Sequence, residues 1–133
     1  MSKTPITLCV GLILFTLACQ PLHPPPCAGE GNLLHVVIIR LNNPGDPEAQ
    51  RKIIAASESF RQIPGVQTVH VGKVLSGNRP HQDSNFDVGL VMGFKSKEDM
   101  DAYIAHPIHV KAVNEVLKPL AEDYTSYDFT NEP

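Results

Sequence analysis

The stretch "LLHVVIIRL", Leu33 to Leu41, decides the fold. It is dense in Val and Ile and stops at "NNPGDP", a run of turn residues, so it reads as a β-strand. Side chains alternate between the two sides of a strand. Here both sides are apolar, with Val37, Ile39 and Leu41 on one and Leu34, Val36 and Ile38 on the other. A sheet with one face in water alternates apolar with polar instead, so this strand needs cover on both faces.

Working outward, "PEAQRKIIAASESFRQI" places Ala49, Ile53, Ile54, Ala56 and Phe60 at helical spacing and ends before Pro64 and Gly65. "VQTVHVGKVL" is a second strand by its β-branched content, and the polar loop "SGNRPHQDSN" follows it. "FDVGLVMGF" is a third strand with unequal faces: Phe86, Val88, Leu90, Met92 and Phe94 on one, Asp87, Gly89, Val91 and Gly93 on the other. The near-bare face makes Gly89, Val91 and Gly93 candidate ligand-binding positions, with the two glycines leaving the volume. Ser96 then caps a helix, with Asp99 three residues on as in a capping box. "PIHVKAVNEVLKPL" continues helically, and "EDYTSYDFT" closes as a strand.

The order is βαββαβ, an α+β, ferredoxin-like subunit. Its two helices cover one face of a four-stranded sheet. A second copy packed sheet to sheet is the economical cover for the other, which predicts a homodimer closed into an α/β barrel.

The chain of 133 residues carries a net charge of −3. "MSKTPITLCVGLILFTLACQ" begins with Lys3, runs apolar from Ile6 to Leu17 and reaches Ala18 before Cys19, the pattern of a bacterial export signal over residues 1–18. A dozen apolar residues fall short of the ~20 that span a bilayer as a helix. "TLAC" resembles the lipobox of bacterial lipoproteins, which implies a lipidated Cys19 and a cell-envelope protein anchored to a membrane; a plain secretory signal is the alternative. Thr16 stands where family lipoboxes favour Leu. Residues 19–32 form a Pro/Gly-rich tether, and residues 33–130 form the single folded domain. Cys27 is left alone beside a lipidated Cys19; otherwise a Cys19–Cys27 disulfide is open to an exported chain. Loss of Lys3 leaves 10 basic and 14 acidic side chains, about −4, with no basic stripe, so nucleic acid is a poor partner.

The chemistry concentrates in "YIAHPIHV", Tyr103 to Val110. Proline disfavours helical backbone in the residue before it, so His106 ends one helix and Pro107 opens the next, with His109 a turn further on. A neutral imidazole suits general-base work near pH 7, and a partner such as Asp128 can set its tautomer. Tyr103, a turn earlier, is placed to bond a carbonyl on which charge develops. The bland reading sits beside this one: His106 is a junction residue, and His35 packs within a strand or lines a pocket. His106-x-x-His109 with His35 or His70 is a weak three-histidine metal pattern, because the proline misaligns the rings. Nothing in the domain calls for a metal or a cofactor.

Over nearly all of residues 33–130 the chain resembles the Dabb family, the stress-responsive dimeric α/β-barrel proteins. The residues that carry this are "HVVIIRL", "FDVGLVMGFKSKEDMDAYIAHPIH" and "YDFT". The resemblance implies a ferredoxin-like subunit whose sheets pair around a cavity. The motif also looks like that of the plant olivetolic acid cyclases of the same superfamily, which implies Tyr103 and His109 as catalytic residues, Asp128 supporting the histidine, and His35 in the first-strand position. Phe129 replaces a tyrosine of that pattern. Two functions follow: a barrel that binds a small, largely apolar or aromatic molecule with no assigned reaction, which is favoured, and a cofactor-free cyclase or lyase using a His/Tyr acid–base pair.

Overall fold

In the computed structural model, residues 33–77 and 79–131 are described; the predicted export signal, the tether, Cys19 and Cys27 lie outside them. Strand β1 (Leu33–Leu41) leads to helix α1 (Pro47–Glu58), a 3-10 turn (Ser59–Gln62) and strands β2 (Val66–Lys73) and β3 (Val88–Phe94). Helices α2 (Lys97–Ala105) and α3 (Pro107–Ala112) follow, then a π-helical turn (Val113–Leu117), a last turn α4 (Lys118–Leu120) and strand β4 (Ala121–Thr130). The sheet order is β2-β3-β1-β4, antiparallel throughout, so the ferredoxin-like α+β expectation holds.

Local chemistry sets the boundaries. Asp46 accepts from the Glu48 and Ala49 amides at 2.9 and 3.2 Å, and Pro47 opens α1. Gly65 turns the chain into β2 at φ +89°, where a Cβ would come within 3.0 Å of the Asp99 side chain. Only glycine meets both conditions. Ser96 accepts from the Asp99 amide at 3.3 Å, as the capping pattern predicts. Asp87, buried just ahead of β3, accepts from the Leu41 amide at 2.8 Å and the Gly45 amide at 2.6 Å, so its carboxylate ties the β1–α1 loop to the sheet.

The core lies between the sheet and the helices. Val37, Ile39 and Leu41 of β1, Val69 of β2, and Val88, Leu90, Met92 and Phe94 of β3 meet Ile53, Phe60, Met100 and Tyr103 there. Each large apolar side chain so placed contributes about 1.5–3 kcal/mol of transfer free energy. The bulky face of β3 is therefore the one the helices cover, as its alternation predicts. Phe86 departs from that pattern. It precedes the strand, and its ring comes to 3.6 Å from where a Gly89 Cβ would stand, on the opposite face.

That opposite face carries Leu34, Val36 and Ile38 of β1 beside Gly89, Val91 and Gly93 of β3 and Thr125, Tyr127 and Phe129 of β4. Tyr127 and Phe129 are 57% and 51% exposed. Strand β4 is an edge strand paired only with β1, and Glu122 to Thr130 are exposed. Alternation then makes β4 two-sided: Tyr124, Ser126 and Asp128 lie on the helix side, while Thr125, Tyr127 and Phe129 lie on the open side. Among the described residues, no helix is long and apolar enough to cross a membrane.

Candidate functional site

Between the helix-covered face of the sheet and α1, α2, α3 and the π turn lies a cavity of about 230 Å³. Its floor is β1, through His35, Val37 and Ile39, with Leu90 of β3. Tyr124 and Ser126 of β4 close one side, and Ala112, Val113, Val116 and Leu117 close another. The wall thus includes a π turn, a widened helical geometry that recurs at functional sites.

Tyr103 is the centre of the site. It is 1% exposed, and its ring packs against Phe94 at 5.2 Å and Phe60 at 5.5 Å between centroids. The same ring lies 4.4 Å from His109 and 6.1 Å from His35. Its hydroxyl has no hydrogen-bond partner among the described residues, while the side chain lines the cavity. Burial pushes the phenol well above its ordinary range, so it remains a protonated donor at any physiological pH.

The helix junction behaves as the proline requires. His106 has extended backbone (ψ 137°), ends α2, and caps α3 by accepting from the Ile108 amide on Nδ1 at 3.3 Å. One turn later, Nδ1 of half-buried His109 stands 2.9 Å from the Ile104 carbonyl oxygen. A carbonyl only accepts, so this nitrogen carries the proton and Nε2 holds the lone pair. Burial lowers the His109 pKa, the Ile104 bond raises it and nearby His35 lowers it, with burial the largest effect. The ring is neutral at pH 7.

His35 faces the same cavity from β1 and is 8% exposed. Its Nδ1 lies 2.5 Å from Oδ1 of Asp128, the residue directly opposite on β4. The structure therefore brings Tyr103, His109 and His35 together but gives Asp128 to His35, where the sequence expectation paired it with His109. Backbone register is the reason: β1 and β4 align His35 with Asp128, while His109 comes from a helix on the other side of the cavity. Gly89, Val91 and Gly93 do not line the cavity. They alternate with Val88, Leu90, Met92 and Phe94, the side the helices cover, and so face the opposite side of the sheet.

Sequence reasoning missed Ser57 and Phe60 of the α1 region and Tyr124 and Ser126 of β4 as wall residues. For β4 a signal existed, since the register that sets His35 against Asp128 also sets Val37 against Ser126 and Ile39 against Tyr124. Among the described residues, no group of three or more His, Cys, Asp or Glu is placed to hold a metal.

A family model described as the Stress responsive A/B Barrel Domain matches residues 33–131. No curated protein matches the chain. A dimeric ferredoxin-like protein of unknown function from Thermobifida fusca YX superposes with a TM-score of 0.63 at 22% identity, over 74% of this chain and 90% of that one. A Dabb family protein with a ferredoxin-like fold from Mesorhizobium loti MAFF303099 gives 0.62 at 22%, over 76% and 97%. A hydroxynitrile lyase from Passiflora edulis gives 0.65 at 18%, over 75% and 93%. At these identities the likeness is one of fold.

Proposed function

The chain belongs to the stress responsive A/B barrel domain family, and on that premise we propose that it binds a small, neutral, largely apolar or aromatic molecule in the cavity around Tyr103. The observation that carries this reading is the make-up of the wall. Side chains such as Val37, Leu90, Val113 and Val116 form most of it, no Asp, Glu, Lys or Arg lines it, and His35, Tyr103 and His109 supply a few convergent polar groups. A charged ligand would be stripped of water there without a counter-charge.

Titration with 4-nitroaniline, which stays neutral across the pH range used, followed by difference absorbance, tests this. Saturable binding is expected, weakened about tenfold by Tyr103→Phe and by His109→Ala, the scale of one lost buried hydrogen bond. Acid should weaken it as well, because protonation below the lowered His109 pKa puts a charge into an apolar wall. Binding that ignores both substitutions would place the ligand elsewhere.

A second reading is favoured by the unpartnered Tyr103 hydroxyl and the neutral imidazole 4.4 Å from its ring. A donor beside a base is the equipment of a cofactor-free cyclase or lyase, the activity implied by the resemblance of the motif to that of the olivetolic acid cyclases. The likeness of fold to a hydroxynitrile lyase is compatible with it.

The working unit is a homodimer joined through the open sheet face. Val36, Ile38, Tyr127 and Phe129 give that face its apolar character, and a relative of the same fold is described as dimeric. The protein is exported and held at the cell envelope by a lipid on Cys19, on the strength of the basic start, the short apolar run and "LAC". Cys19→Ser should move the protein from the membrane fraction to the soluble one. Unchanged attachment with an uncleaved N-terminus would defeat the anchor.

A further inference from the structure

We propose that the proton acceptor of the cavity is His35 rather than His109, with Asp128 as the residue that positions it. This deepens the acid–base reading above and rests on it.

Both imidazoles border the same cavity, and both have Nδ1 engaged, so each turns an Nε2 lone pair to its surroundings. What holds Nδ1 differs. His109 donates to the Ile104 carbonyl, a neutral dipole, while His35 donates to the Asp128 carboxylate at 2.5 Å. Either partner sets the tautomer, but only a full negative charge stabilises the imidazolium that forms when Nε2 takes a proton. Burial also works against a charge on His109, and that ring has no acidic partner among the described residues.

Geometry strengthens the assignment. His35 and Asp128 are directly opposite on paired strands, so ladder hydrogen bonds hold both ends of the dyad, whereas His109 sits on a six-residue helix with no buried residue. His35, 8% exposed among Val37, Leu90 and Tyr103, thus has its one polar partner at the rim of the cavity, with its other ring nitrogen left for a ligand. The Asp128 side chain is 47% exposed, so its carboxylate stays hydrated and charged while it holds the buried ring. The ionisable groups around His35 are Asp128 and Tyr124 from β4, Tyr103 from α2 and His109 from α3.

The substrate class this arrangement takes is a neutral ketone or aldehyde with an acidic C–H beside its carbonyl. The C–H proton passes to His35 Nε2, and the electron pair of that bond becomes the enolate, whose oxygen accepts a hydrogen bond from the Tyr103 hydroxyl. Nδ1–H stays on Asp128, and return of a proton from the imidazolium to carbon closes the cycle without a co-reactant.

Exchange of the α-protons of 2-indanone in D2O, followed by proton NMR with the full chain, is the test. Wild type should accelerate exchange above buffer. His35→Gln should lower the saturated rate about 100-fold or more, the scale of a lost general base. Asp128→Asn should lower it about 10- to 100-fold and alter its pH profile, while Asp128→Glu recovers part of the loss. Asp128 is half exposed, so its variants keep the fold, and thermal melts verify that for each protein. His109→Gln should raise the half-saturating concentration more than it lowers the saturated rate.

Wild-type rates in His35→Gln and Asp128→Asn, with exchange abolished in His109→Gln, would overturn the assignment and leave the acid–base reading standing. No acceleration by wild type that binds 2-indanone would end both.

Discussion

Tyr103→Ala should lower the free energy of unfolding by about 3–5 kcal/mol, the range for truncating a buried aromatic ring. The ring fills the junction of three layers, touching Phe94 of the sheet, Phe60 after α1 and His109 of α3, and α3 itself buries no residue that could close the gap. Tyr103→Phe separates the two roles of the side chain. The hydroxyl bonds to nothing among the described residues, so its removal should cost less than about 1 kcal/mol. Ligand uptake should fall nonetheless, because the donor is gone. Urea denaturation of the two variants measures the contrast. Equal losses in both would mean that the hydroxyl has a structural partner, and an Ala variant within about 1 kcal/mol of wild type would mean that the ring does not hold the layers together.

Val36→Lys should abolish self-association at micromolar concentration while leaving the subunit folded. Val36 stands at the middle of the open sheet face, with Val91 across on β3 and Tyr127 across on β4. A charge at the desolvated centre of an interface costs about 2–4 kcal/mol, roughly 30- to 1,000-fold in dissociation constant. Val36 is only half-buried in the subunit, so a lysine there can extend its stem along the sheet and keep its ammonium in water. Sedimentation gives the answer directly. A variant that stays dimeric would move the interface off this face, and a wild type that is monomeric at the same concentration would leave the apolar second side of β1 without its explanation.

The face occupied by Gly89, Val91 and Gly93 carries a lesson about what alternation can tell. Within β3 the sequence separates a bulky side from a bare one, with Phe86 ahead of the strand the exception, and the bulky residues Val88, Leu90, Met92 and Phe94 are the core. Bareness by itself suggests room for a ligand. In the structure the cavity lies on the crowded side, because α1, α2 and α3 span the sheet without filling the space above His35 and Val37, and the glycines lie on the open face of the sheet. Periodicity tells which residues share a side; it carries no measure of how far the opposing layer stands off.

What the sequence by itself determined is everything governed by neighbours along the chain. The βαββαβ order follows from local periodicity, the junction at His106 and Pro107 from backbone sterics, the Ser96 cap from hydrogen bonding within one turn, and the two-sided character of β1 from simple alternation. The placing of Tyr103 and His109 beside one cavity follows from their spacing across one helix junction. The partner of Asp128 was decided only by the tertiary structure. His35 and Asp128 are 93 residues apart, and whether that carboxylate meets a strand histidine or a helix histidine depends on the register of β4 against β1. A shift of one residue would turn Asp128 to the open face, and β4, exposed along nearly its whole length, has no buried apolar set of its own to announce its register.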